Sequence, residues 1–183
     1  MKISVIRHGE TDSNMAKKLM GQRDDGSLNS KGTEQAKEIA KNIKTGDFDI
    51  IITSPLKRTK ETAEIIANKI KVPIIENVDI LERDFGNLSG KSWEEMNEII
   101  KLKNTDIKTL DLEQKYNYKP YGGESAEEVK NRVTKFLNEI KKDYSNKKVW
   151  VVAHGGIIKM INFILTKQTI NTPDNGSINE FNI

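Results

Sequence analysis

Apolar residues in this chain follow two rhythms. Short, nearly unbroken apolar runs over Lys2–Ile6, Asp49–Thr53 and Val149–Ala153 predict buried strands. Between them the period lengthens to that of a helix. Ala36, Ile39, Ala40 and Ile43 share one face of a stretch from Ser30 to about Ile43, behind Asn29. Ala63, Ile66, Ala67 and Ile70 line a second helix, for which Ser54 reads as N-cap and Pro55 as first helical residue. Ser92–Glu95 and Ser125–Glu128 are capping boxes, and the latter opens a helix with Val129, Val133, Phe136, Leu137 and Ile140 inward. Pro73–Ile75 and Val78–Leu81 predict a third strand and its extension. A last helix over about Ile157–Leu165 and a final strand near Glu180–Ile183 complete the series.

Strands alternating with helices argue for an α/β three-layer sandwich, a mostly parallel sheet flanked by helices on both faces. No repeat or linker divides the chain, so residues 1–183 read as one domain. The exception to the pattern is Leu102–Gly123, long, polar and irregular, which reads as a lid-like insertion. Its tyrosines Tyr116, Tyr118 and Tyr121, with nearby lysines, have two readings: a cover over a ligand, or a loop packed on its own domain.

Composition narrows the class. No apolar run approaches the ~18 residues needed to span a bilayer, and Met1–His8 runs directly into a strand with no apolar leader. The absence of cysteine excludes a disulfide scaffold, thiolate zinc sites and iron–sulfur chemistry. A cytoplasmic location is the expectation. The net charge of +3 comes from 30 Lys+Arg against 27 Asp+Glu. The lysines are dispersed among acids as a solvated surface, so neither nucleic acid nor membrane is expected as a partner. Arginine, at five residues, and histidine, at two, are scarce.

Those scarce residues fall together. His8 and His154 each stand just past a predicted strand and precede a glycine, which is read as allowing close backbone approach to a ligand and positive φ. Arg7 precedes His8, Arg58 follows the second strand by one helical turn, and Glu82 follows Val78–Leu81. An open parallel sheet binds ligands at these strand ends. The set suits phosphoryl transfer. Guanidiniums fork onto phosphate oxygens, a neutral imidazole attacks phosphorus, and a carboxylic acid protonates the leaving oxygen. A second, cationic imidazole would offset charge on the transferring group.

Arg7-His8-Gly9-Glu10-Thr11-x-x-Asn14 resembles the N-terminal motif of the histidine phosphatase superfamily, the phosphoglycerate mutase-like group. Further segments are similar in order: Leu28-Asn29-x-x-Gly32-x-x-Gln35-Ala36, Ser54-Pro55-Leu56-Lys57-Arg58-Thr59, and Leu81-Glu82-x-x-Phe85-Gly86. Gly122-Gly123-Glu124-Ser125, Val151-Val152-Ala153-His154-Gly155-Gly156 and Asn175-Gly176-Ser177-Ile178 complete the likeness. The resemblance implies a phosphoglycerate mutase-like fold and a histidine acid-type phosphatase without metal or other cofactor. It implies that His8 becomes phosphohistidine, that Arg7, Arg58 and His154 form the phosphate pocket with Asn14 and the Gly155 amide, and that Glu82 is proton donor and then base. Gly21 and Gln22 correspond to a substrate-touching loop, and Arg83 is read either as a contact to a second substrate anion or as a surface salt bridge.

Two activities share such a site. A mutase excludes water and returns the phosphoryl group to a hydroxyl, whereas a phosphatase admits water. Between Arg83 and Arg132 this chain has no arginine to clamp a carboxylate, and the interval from Glu82 to His154 is short. The phosphatase reading is preferred, with phosphoglycerate mutase-type transfer as the alternative. Glu82-Arg83 is the contrary, mutase-like detail. A 2-His-1-carboxylate metal hydrolase built on His8, His154 and Glu82, and an inert phosphate-binding module, are the readings from other classes. The expected partner is a small phosphorylated metabolite. No motif speaks to oligomeric state, and a homodimer is admitted.

Overall fold

The computed structural model describes residues 1–183. Its elements in chain order are β1 (Lys2–Arg7), α1 (Asp12–Met15), α2 (Ser30–Lys41), β2 (Ile50–Thr53), α3 (Lys57–Ile70), β3 (Ile74–Glu76), α4 (Trp93–Ile100), α5 (Ile107–Leu112), α6 (Ala126–Asp143), β4 (Val149–Ala153), α7 (Gly155–Thr166) and β5 (Ile178–Asn182). The strands form one sheet in the order β3-β2-β4-β1-β5, parallel throughout except for antiparallel β5.

Strand alternation builds the three layers. Ile3 and Val5 of β1, Ile50 and Ile52 of β2, and Val149, Val151 and Ala153 of β4 face one core, which Val129, Val133 and Phe136 of α6 and Ile157 and Ile161 of α7 complete. Ile6, Ile51, Trp150 and Val152 face the other, closed by Ile39 and Ile43 beside α2 and by Ala63, Ile66 and Ile70 of α3. Each large aliphatic side chain so buried contributes about 1.5–3 kcal/mol. The α/β architecture expected from the sequence is therefore the one observed, and no helix is long and apolar enough to cross a membrane.

Four local expectations are corrected. Ser54 does not cap α3. That helix begins at Lys57 behind Leu56, and the carboxylate of Asp25 accepts from the Lys57 amide at 2.6 Å in the role foreseen for the serine. Val78–Ile80 is not an extension of β3 but a 3₁₀ turn capped by Asn77, whose side chain accepts from the Asp79 amide. Helix α7 starts at Gly155, two residues earlier than its apolar periodicity indicates. The stretch 102–123 is only partly irregular, since it contains α5 and a 3₁₀ turn at Lys119–Tyr121. Tyr116 and Tyr118 stack at 5.1 Å inside the first core, which is the self-packed reading for those two rings.

Candidate active site

Parallel pairing of β1 with β4 sets the site. Arg7 lies opposite Ala153, so the residues that follow, His8 and His154, leave the sheet at the same level. Their rings meet edge to face with centroids 5.3 Å apart. Arg58 projects from the first turn of α3. Together with Glu82 these residues border a cavity of about 530 Å³, and Arg7, His8, Arg58, Glu82, Gly155 and Gly156 belong to its wall. His154 stands directly behind His8, fully buried.

Each side chain is held by the backbone around it. His8 Nδ1 lies 2.7 Å from the Gly9 carbonyl, so it donates there, and Nε2 is left with its lone pair free. The Gly9 amide donates to Thr62 Oγ1, and Asn175 Nδ2 donates to the His8 carbonyl at 3.0 Å. Arg58 donates to the carbonyls of Gly21 and Asp24, and Arg7 to that of Pro173, while the Nε of each arginine is buried without a protein partner. Asn14 Oδ1 accepts from Asn175 Nδ2 and from the Thr11 amide, which leaves its own amide N–H groups for a ligand.

Electrostatics favours neutral imidazoles. Burial, then Arg58 and Arg7, hold His8 well below the ordinary histidine range. Burial, then Arg58 and His8, do the same to His154. Burial and the nearby guanidiniums disfavour a proton on His154, opposite to the cationic state expected of it. An entering phosphate supplies the negative charge that reverses this balance. His154 Nε2 is 2.8 Å from Ser54 Oγ, and its Nδ1 has no protein partner.

Glu82 is fixed by both carboxylate oxygens. Oε1 accepts from the Arg83 amide at 2.9 Å and Oε2 from the Gly156 amide at 3.1 Å, so the acid sits on the N-terminal turn of α7. Glycine at 156 leaves room for the carboxyl group, since a Cβ there would lie 2.3 Å from Oε1 and displace it. Glycine serves packing elsewhere too. A Cβ on Gly9 would lie 2.4 Å from the Gly32 carbonyl oxygen, and one on Gly155 would lie 2.6 Å from Thr172 Cγ2. Neither Gly9 nor Gly155 has positive φ, contrary to the sequence reading; Gly21 does, at 60°.

Of the remaining predicted residues, Asn14 and Gly21 border the cavity. Gln22 does not: its side chain donates to Glu124. Arg83 borders the cavity but is no surface residue. It is 4% exposed, paired with Asp111 of α5, and lies 5.2 Å from the ring centroids of both Phe85 and Tyr116.

Several contributors escaped sequence reasoning. In the sequence Ser54 reads as a cap and Asn175 only as part of a turn motif. Lys17, Lys18, Leu19, Met20, Trp93, Lys108 and Thr172 complete the outer wall with no signal beyond position. The two histidines and Glu82 do not assemble into a metal-ligand cluster. On the far side of the Asn175 turn, an apolar groove of about 600 Å³ between α2 and β5 contains no histidine or arginine.

Comparison with known proteins agrees with this geometry. The model of the histidine phosphatase superfamily (branch 1) matches residues 3–183. The uncharacterized phosphatase PhoE of Bacillus subtilis is 38% identical over 157 residues, covering 85% of this chain and 72% of that protein. A 2,3-bisphosphoglycerate-dependent phosphoglycerate mutase of Parvibaculum lavamentivorans is 30% identical, covering 89% of this chain and 79% of that protein. Among solved structures, phosphoserine phosphatase from Entamoeba histolytica in complex with 3-phosphoglyceric acid superimposes with a TM-score of 0.80 at 29% identity, covering 98% of this chain and 89% of that one.

Proposed function

The chain belongs to the histidine phosphatase superfamily (branch 1), and on that premise we propose that it is a metal-independent phosphomonoester hydrolase, of the histidine acid type, acting on a small phosphorylated metabolite. The observation that carries this reading is the His8 tautomer. With Nδ1 donating to the Gly9 carbonyl, Nε2 is an unprotonated nucleophile beside two guanidiniums and one carboxyl group.

The chemistry runs as two in-line displacements. Arg7 and Arg58 hold the phosphate oxygens, with the Asn14 amide and His154 Nδ1 as further contacts. His8 Nε2 forms a bond to phosphorus as the ester P–O bond breaks, and Glu82 gives its proton to the departing oxygen. Water then attacks the phosphohistidine and passes a proton to Glu82. The P–N bond breaks with its electron pair returning to Nε2, and inorganic phosphate leaves.

Hydrolysis is favoured over mutase transfer by the state of the arginines. Arg23 is tied to Asp84 and the Gly122 carbonyl, Arg83 to Asp111, and Arg132 to Glu124 and the carbonyls of Asp79 and Leu81. No third arginine is left to clamp a substrate carboxylate in the bidentate manner. A cavity of about 530 Å³ suits a small metabolite rather than a polymer, so nucleic acid and membrane stay outside this reading. We also propose the cytoplasm as its location, where charged phosphorylated metabolites are retained.

The test is a panel of phosphate monoesters ranked by kcat/KM, with 3-phosphoglycerate isomerisation assayed alongside, and rapid quench for an acid-labile, base-stable adduct. Hydrolysis with a phosphoryl group on residue 8 is expected. Isomerisation outrunning hydrolysis would favour the mutase alternative, and failure to form the adduct would remove the proposed mechanism.

A further inference from the structure

Behind the proton donor lies a buried charge network that the reaction steps above do not use. Asp111 of α5 pairs on one side with Arg83 and on the other with Lys159 of α7. All three are buried, at 2%, 4% and 3% exposure. Four cations act on Glu82: Arg7 of β1, Arg58 of α3, Lys159 of α7 and, adjacent in sequence, Arg83. The phenols of Tyr116 and Tyr118 face the same region, and burial pushes both up, so they remain neutral and offer no counter-charge. Arg132 of α6 reaches only the main-chain carbonyl of Glu82, at 3.2 Å, and its guanidinium is otherwise bound to Glu124 and to the carbonyls of Asp79 and Leu81.

This arrangement poses a chemical problem. Glu82 must carry a proton when the ester bond breaks, and both of its oxygens are seated on backbone amides, so a guanidinium that swung onto the carboxyl group would pull it from that seat. The Arg83 guanidinium passes close to the Gly156 position, where a Cβ would stand 3.0 Å from its Cζ and 2.3 Å from Glu82 Oε1. Without a partner of its own, that guanidinium would turn to the nearest acid. Asp111 is the carboxylate that engages it instead.

Resting on the phosphatase reading, we propose that Asp111 is a positioning residue for the proton donor: it holds the Arg83 guanidinium against α5, so that Glu82 keeps the seat from which it delivers its proton to the leaving group. The stretch 102–123 thereby acquires a role in the chemical step, because α5 supplies the one carboxylate on the far side of Arg83. Nothing is transferred to or from Asp111 itself. It acts through the position and charge of Arg83.

Asp111→Asn is the direct variant, but it buries Arg83 and Lys159 with no anion between them and is expected to fold poorly. Asp111→Asn/Lys159→Met removes one anion and one cation together, and is compared with Lys159→Met alone, in which Asp111 still holds Arg83. Asp111→Glu is the conservative rescue. The readout is the pH dependence of kcat/KM on an alkyl phosphate, with p-nitrophenyl phosphate as the ester whose leaving group needs little protonation.

In the double variant the basic limb for the alkyl ester is expected to move to lower pH by about one unit, with a loss of about tenfold on the alkaline side, as for a carboxyl gaining a close cation. The p-nitrophenyl ester should change less than twofold, and Asp111→Glu should restore the limb. An unshifted limb in a folded double variant, or equal loss on both esters, overturns the inference while leaving the phosphatase reading intact. A wild-type protein that hydrolyses neither ester removes the phosphatase reading itself.

Discussion

His8 and His154 sit on neighbouring parallel strands, one residue past the paired positions Arg7 and Ala153, with their rings edge to face at 5.3 Å. In the proposed mechanism one is the nucleophile and the other its support, and burial holds both below the ordinary histidine range. Their environment therefore couples stability to pH with a definite sign. Each ring's folded-state pKa lies below the unfolded value near 6.5. The unfolded chain thus binds more protons below about pH 6.5. Stability is fully present above that pH and declines as pH falls from it toward the folded values, by up to about 1.4 kcal/mol per unit for each ring. Urea midpoints at pH 7, 6 and 5 should drop accordingly, and His8→Gln/His154→Gln should flatten the dependence. An equally steep decline in that variant would place the acid sensitivity elsewhere.

Gly156→Ala tests the seat of the acid. Its Cβ would occupy space 2.3 Å from Glu82 Oε1, so the carboxyl group shifts from its seat beside the α7 amide. The expected result is a fall in kcat of about 10²-fold for alkyl phosphates, the scale of a lost general acid, with a much smaller change for p-nitrophenyl phosphate and little change in Tm. Uniform slowing of both esters would point instead to a damaged phosphate pocket.

Glu82→Gln keeps the shape of that seat but cannot donate a proton. Turnover of poor leaving groups should fall steeply and that of good ones modestly, so that the plot of log kcat against leaving-group pKa becomes steeper. Parallel loss across the series would take Glu82 out of the acid role.

Ser54→Ala removes the partner of His154 Nε2 at a position where both side chains are buried. An orphaned buried imidazole nitrogen costs about 1–3 kcal/mol, visible as a lower urea midpoint. Because the ring is no longer oriented, inhibition by vanadate, a mimic of the five-coordinate phosphorus, should weaken several-fold. Unchanged vanadate affinity would show that His154 is held by packing alone.

Chelation distinguishes the remaining chemical class. Turnover after exhaustive EDTA treatment should equal that of the untreated enzyme, since His8, His154 and Glu82 are not gathered as metal ligands. Loss of activity with EDTA, restored by a divalent ion, would reinstate the metal hydrolase reading.

What the sequence disclosed, and what it hid, divides along the range of the contacts involved. Apolar runs ending at Arg7-His8 and at Ala153-His154 placed both imidazoles at the strand ends, because alternation and strand termination are local properties. Ser54 was legible only as a cap, since Ser-Pro before a helix has that meaning locally; its hydroxyl is in fact engaged by His154, a hundred positions away. Asp111 lay in a polar stretch with no periodicity, and nothing in its neighbours foretold a pairing with Arg83 and Lys159. Gln22 shows the reverse error: it follows a loop glycine that does border the cavity, yet its own side chain turns to Glu124. At Gly9 the backbone of α2 also demands a glycine, a long-range contact that no local pattern announces.

The attachment of Glu82 to the first turn of α7 has a mechanical corollary. In the proposed mechanism the carboxylate that is neutralised and recharged in every round also serves as the stopper of that helix. Each protonation weakens that stopper and each deprotonation restores it, so the end of α7 that carries Gly155 and Gly156 is expected to loosen and tighten in step with turnover, a motion that amide exchange at those two glycines can report.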